Sequence, residues 1–322
     1  MEYKVTESKV ELQTRLKGAR ELSWRKFGKR ITFYLPGMFN YYGIRGKYPA
    51  LSITGAHCQL MCDHCRAKIL EPMVPVEQPA LLVERCMGLK EKGCHGVLLS
   101  GGCDMDGRLP WHKFLDAMAE VKAQTGLYIS IHCGLLDRET AVSLKQAGVD
   151  QALLDVIGDD QTYQSVYHVN FGVEQIASTM EALNQAGLAL VPHIICGLNR
   201  GEIRSEMDAL RMVAHFQVEQ LVIVSLMSIK GTPLHKAPSP NPEDIAEIMV
   251  EARFMMPGVP ISLGCARKRG DERIELLAIE GGINRMALPS EAAIERAKSY
   301  GLEISYQKTC CSVAQDFSAP KW

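Results

Sequence analysis

From about residue 50 onward, short apolar runs alternate with longer stretches whose apolar positions recur every three or four residues. The candidate strands are ALSIT (50–54), GVLLS (96–100), LYISIH (127–132), QALLDV (151–156), LALVPHII (188–195), QLVIVSLM (220–227), VPISLG (259–264) and NRMALP (284–289). Between them lie stretches of helical period, such as GVEQIASTMEALNQAG and PEDIAEIMVEARFMM. Eight β units with interposed helices, over about 240 residues, predict an α/β fold: a (β/α)8 barrel of the TIM type. A six-unit partial barrel is the other reading, because short apolar runs are ambiguous by period alone. Residues 1–48 are charged and mixed and read as an N-terminal helical extension; 49–292 form the barrel, and 293–322 a C-terminal extension with a Cys-Cys pair.

The chain has 322 residues, 47% of them hydrophobic, and a net charge of −1. That supports a large buried core and gives no footprint for a nucleic-acid partner. Nothing approaches the ~18 consecutive apolar residues of a membrane span, so no membrane role is expected. Eleven cysteines without a signal peptide point to a reduced, cytoplasmic setting.

Three of those cysteines, Cys58, Cys62 and Cys65, stand in the run TGAHCQLMCDHCRAKIL, spaced Cys-x3-Cys-x2-Cys. Three thiolates can hold three irons of a [4Fe–4S] cube, whose usual protein complement is four; the last iron is then open to another ligand. The run follows the first candidate strand, at the end of a barrel where chemistry is found. A zinc site would need a fourth ligand and usually a second Cys-x2-Cys pair, which the chain lacks; His57 is the local alternative.

The loop resembles the cluster loop of the radical S-adenosylmethionine (radical SAM) superfamily. The resemblance implies a SAM-binding [4Fe–4S] cluster on Cys58, Cys62 and Cys65, and reductive cleavage of SAM to a 5′-deoxyadenosyl radical. It implies that His64 lies against the adenine. Ser100, Gly101 and Gly102 would form the turn that receives the methionyl amino group, with the usual acidic position displaced by Cys103 to Asp104. Asp155 would meet the ribose, or cap a helix, a part open also to Asp159 or Asp160; Ile195, Gly197 and Met227 would complete the cradle.

Later segments, GLLDRETAVSLKQAGVD (134–150), IKGTPL (229–234) and ARFMMPGVPISLGCAR (252–267), resemble biotin synthase. That family builds a second, sulfur-donating cluster from three strand cysteines and an arginine. Here Ser100 and Ser130 stand where two of those cysteines would be, the third, near Pro192, is missing, and Arg267 matches the arginine. In their place are Cys265, of the same strand parity as Arg267, and the pair Cys310–Cys311. A tail folded back over the barrel would bring the three together as a second, auxiliary Fe–S cluster, with Cys103, Arg267, a serine or no group as fourth ligand. The competing reading is a pair of incidental thiols in a loose tail.

Gly264-Cys265-Ala266-Arg267, Ala287-Leu288-Pro289-Ser290 and the terminal Cys-Cys resemble a subunit of the two-component lipoyl synthase of archaea and anaerobic bacteria. The resemblance implies sulfur insertion into an octanoyl chain on a lipoyl carrier protein or domain, beside a sibling radical SAM subunit, with reduced ferredoxin or flavodoxin as electron donor. Arg267, Lys268, Arg269 and Arg273 would steer an acidic carrier. A different biotin-synthase-like reaction, or a non-catalytic Fe–S assembly subunit, are the alternatives.

Overall fold

The computed structural model describes residues 2–317. Ten strands carry the fold: β1 (Arg30–Tyr34), β2 (Ala50–Ser52), β3 (Gly96–Ser100), β4 (Tyr128–His132), β5 (Gln151–Val156), β6 (Ala189–Cys196), β7 (Leu221–Ser225), β8 (Ile261–Leu263), β9 (Arg285–Ala287) and β10 (Glu303–Gln307). From β2 to β9 they are neighbours in chain order and pair in parallel, with helices in the crossovers. β3 and β7 are buried at every position, as a sheet covered on both faces requires. This is the expected curled, TIM-type α/β sheet.

The seam holds more than the pattern predicts. β1, from the stretch read as a helical extension, lies between β9 and β10 and pairs in parallel with both. A short strand, Val74–Pro75, flanks β2 at the opposite margin, making eleven strands in this sheet among the described residues. Across the gap, the Lys47 amide donates to the Lys308 carbonyl at 2.6 Å.

Among the described residues, nine helices of eight residues or more clothe the sheet: α1 (Glu2–Phe27), α2 (Pro79–Glu91), α3 (Leu115–Thr125), α4 (Arg138–Gln146), α5 (Val173–Gln185), α6 (Glu206–Val213), α7 (Pro242–Met255), α8 (Glu272–Glu280) and α9 (Glu291–Ser299). Asp137, Asn241, Asp271 and Ser290 cap the first turns of α4, α7, α8 and α9 by accepting from backbone amides there. α1 buries Leu12, Leu16 and Ala19 against α7 and α8. Arg15 pairs there with Glu247 and Glu251, and Arg20 donates to the Glu280 carbonyl at 2.7 Å.

A second, smaller core fills the inside of the sheet: Tyr48, Ala50, Leu98, Leu153, Val191, Val222 and Val224. Val313, from the C-terminal tail, belongs to it and is fully buried. The tail therefore runs inside the curl of the sheet, where the sequence suggested a cover over the outside.

Candidate active site

The cysteine loop follows β2 and winds through consecutive turns, with Met61, Arg66 and Ala67 in the left-handed region (φ +47°, +48°, +60°). Such values are uncommon for these residues and mark a tightly constrained path. The Cys65 and Arg66 amides both donate to the Cys62 carbonyl, at 3.1 and 2.9 Å. The Gln59 amide and the Cys58 thiol both donate to the Cys103 carbonyl, at 2.8 and 3.9 Å. Beneath the loop runs Gly102, whose amide donates to Thr54 Oγ1 at 2.7 Å. A Cβ there would stand 2.1 Å from the His57 carbonyl oxygen and 2.4 Å from Cys58 Cα, so only glycine lets the two backbones touch.

Cys62 and Cys65 are buried and Cys58 half-buried. Burial first, and then the neighbouring thiols, push the Cys62 thiol well up; burial likewise raises Cys65 to about 11. Thiols so placed suit a cation that stabilises their ionised form. Among the described residues, no three His, Cys, Asp or Glu side chains converge on a point that would suit one metal ion.

A cavity of about 460 Å³ opens beside this loop and runs along the inside of the sheet. At the loop end it is lined by His64, Ser100, Gly101, Cys103, His132, Asp155, Tyr163 and Tyr167. His64 Nδ1 and the hydroxyls of Tyr163 and Tyr167 are buried without a hydrogen-bond partner. Burial holds His64 neutral, its pKa lowered to about 4. The His64 and Tyr167 rings lie 5.1 Å apart. The two tyrosines sit on a single π-turn, Tyr163–Tyr167, after β5; such turns are frequent at functional sites. Asp155 ends β5 with its pKa raised by burial, an effect partly offset by His132. The orphaned polar atoms of His64, Tyr163 and Tyr167 and the Asp155 carboxylate, around one space beside the cysteine loop, fit a polar cofactor held next to an Fe–S cluster.

Cys265, Cys310, Cys311 and Ser312 line the same cavity. Cys265 follows β8, and the pair lies beyond β10. The three cysteines pack in one cluster with Tyr34, Leu35, Ala287 and Leu288. Donation from Cys311 pulls the Cys310 pKa down, against burial, while Cys265 is pushed well up, chiefly by its bond to Cys311. The structure thus brings Cys265, Cys310 and Cys311 together, and the pair is buried tail rather than loose chain.

Of the other expected positions, Ile195 and Met227 line the cavity. Gly197 does not: its amide is bound to Glu206 Oε1 at 2.7 Å, and a Cβ would strike Pro240. Asp159 caps the turn beginning at Asp160, and Asp160 accepts from the Val173 amide, which leaves Asp155 as the carboxylate facing the cavity. Cys103 sits with the first loop, where burial and then Cys58 raise it to about 12, and away from the far thiols. Arg267 is engaged by protein groups through both terminal nitrogens. It is buried, donates to Glu275 Oε1 and the Ala287 carbonyl, each at 2.7 Å, and to the Gly264 carbonyl at 2.5 Å. The strand ends at Leu263, so parity no longer ties Arg267 to Cys265; nor can this buried guanidinium steer a carrier.

The sequence reading overlooked His132, Tyr163, Tyr167 and Ser312, and passed over His193 as a site residue. His193 Nε2 is 2.8 Å from Ser312 Oγ, and its ring lies 5.4 Å from that of His132. The signal was strand parity: His132 shares a face with Ser130, and His193 with Ile195. Ser130 itself bonds the buried Tyr48 hydroxyl at 2.8 Å.

Comparison with known proteins matches residues 52–212 to the radical SAM superfamily and residues 222–319 to the biotin and thiamin synthesis associated domain. Biotin synthase from Neorickettsia sennetsu is 27% identical over 250 residues, 73% of each chain. Biotin synthase from Aromatoleum aromaticum is 26% identical over 245 residues, again 73% of each. In fold, the chain is similar to methylornithine synthase, with a TM-score of 0.64 at 19% identity over 91% of this chain and 89% of that one. An FeFe-hydrogenase maturase from Carboxydothermus hydrogenoformans gives 0.64 at 15% identity, covering 91% and 72%. Among the described residues no helix is long and apolar enough to cross a membrane.

Proposed function

The chain belongs to the radical SAM superfamily, as an enzyme of the biotin-synthase-like type, and from that premise we propose that it inserts sulfur at an unactivated C–H carbon of a carrier-bound octanoyl chain. Cys58, Cys62 and Cys65 would hold the [4Fe–4S] cluster the family implies, and His64, Ser100, Gly101 and Asp155 would surround SAM. Together these cofactors supply, when bound and reduced, a 5′-deoxyadenosyl radical for hydrogen abstraction. Gly102 lets the cluster loop close on the Gly-Gly turn. Leu98, Leu153, Val224 and Ile195 give the cavity an apolar wall that excludes water and suits an alkyl chain.

The observation that carries the proposal is that one cavity is lined by His64 from the cysteine loop and by Cys265, Cys310 and Cys311 at its far end. Sulfur insertion needs a carbon-centred radical and a sulfur source within reach of one another. A second Fe–S cluster on the far thiols would be that source. The carrier would dock at the rim, where Lys268 and Arg269 are exposed, with a sibling radical SAM subunit as partner and ferredoxin or flavodoxin as donor.

The test is anaerobic incubation with an octanoylated carrier peptide, SAM and reductant, with and without a second such enzyme. A peptide mass gain matching a thiol is the expected result. Turnover of SAM without any change in the peptide would reject the substrate.

A further inference from the structure

We propose that the inside of the sheet is a socket for the chain's own tail, in which Gln151, Gln220 and Arg285 are positioning residues that set Cys310 and Cys311 against Cys265. A peptide segment inside a barrel has no strand to pair with, so its backbone groups need side-chain partners. Here four consecutive carbonyls each have one. Gln220 Nε2 donates to the Cys311 carbonyl at 2.9 Å and Gln151 Nε2 to that of Ser312 at 2.6 Å. The Tyr34 hydroxyl donates to the Val313 carbonyl at 3.1 Å, and Arg285 Nη2 to that of Ala314 at 3.0 Å.

Two features make this a socket of fixed register. Gln151 uses both ends of its amide, since Oε1 accepts from the Ala314 amide at 3.1 Å. Gln220 Oε1 accepts from Arg285, so two of the donors brace each other. Gln151 and Gln220 are fully buried; amides there are costly unless the tail occupies the space. Val313 sits among Tyr48, Leu98, Leu153 and Val222 and closes the floor of the cavity. A slip of one residue would put Ser312 at the position of Cys311, or Thr309 at that of Cys310, and the three thiols would no longer pack together.

The thiol geometry is testable apart from iron; only the iron readout rests on the second-cluster reading above. Phenylarsine oxide joins two adjacent thiols through arsenic with loss of one water. With the full-length, reduced, iron-free protein, the expected product links Cys265 to Cys310 or Cys311, identified by peptide mass. In Gln151→Leu/Gln220→Leu that link should form at least tenfold more slowly, while Cys86 and Cys133, buried elsewhere, stay shielded from iodoacetamide. Should those two become exposed, Gln151→Asn, one methylene short of both partners, carries the same comparison. After reconstitution, iron in the variant should fall to the level of Cys265→Ser. No link in the wild type, or an undiminished link in a folded variant, overturns the socket. A link lost as expected, with wild-type iron no higher than that of Cys265→Ser, upholds the socket and rejects the second cluster.

Discussion

The residues that bear on chemistry here are those whose environment makes sense only with something bound. Tyr167 buries a hydroxyl without a partner next to His64. An unsatisfied buried hydroxyl costs about 1–3 kcal/mol. Tyr167→Phe should therefore raise the melting temperature of the iron-free protein and weaken SAM binding to the reconstituted one. Scanning calorimetry and equilibrium binding would show these opposite signs; a variant less stable yet equally avid would contradict the assignment. Gly102→Ala presses a methyl group into the cysteine loop and should destabilise the chain by about 1–3 kcal/mol, with loss of loop-bound iron. His193 has its pKa lowered from 6.5 to about 3 by burial. Below pH 6.5 the unfolded chain takes up a proton that the folded one refuses. Its contribution is whole above pH 6.5 and declines by about 1.4 kcal/mol per pH unit below, until the folded pKa is reached. Urea unfolding of the iron-free protein at pH 7 and pH 5 should show this slope added to that of His64, and His193→Gln should remove its own share. At this scale the cysteines were legible because spacing alone announces them. The histidines and tyrosines were not, because their meaning lies in which face of a strand or turn they occupy.

Among the elements, the eight central strands were readable because parallel strands covered on both sides are continuous apolar runs. β1 and β10 were missed for the opposite reason. Their burial patterns are broken, with Arg30 and Glu303 exposed at the first positions, and each lies in a charged stretch. Their pairing, Arg30 with Glu303 through Tyr34 with Gln307, joins the two ends of the chain and leaves no trace in local period. That pairing has a cost for truncation. β10 is an edge strand whose only ladder is with β1, and it leads straight into the tail. Deleting residues 1–34 should therefore expose Cys310 and Cys311 to alkylation, though nothing near them in sequence has changed. Mass mapping of the alkylated thiols checks this, and unaltered protection would mean that the tail holds its place without the ladder.

For the molecule as a whole, one continuous cavity runs from His64 of the cysteine loop to Cys265, Cys310 and Cys311. A bulky side chain midway should separate their roles. Leu153→Trp is expected to leave the iron of Cys58, Cys62 and Cys65 in place and to suppress thiol transfer to an octanoylated peptide by at least tenfold. Equal transfer would mean that the alkyl chain takes another route.

Burying inside the sheet a segment made well after the cysteine loop also orders the protein's birth on the ribosome. Cys65 emerges about 245 residues before Cys310, which at ~5–20 residues per second is roughly 12–50 s. The first thiol set can meet its metal during that interval, whereas the second exists only after Cys310 and Cys311 have followed.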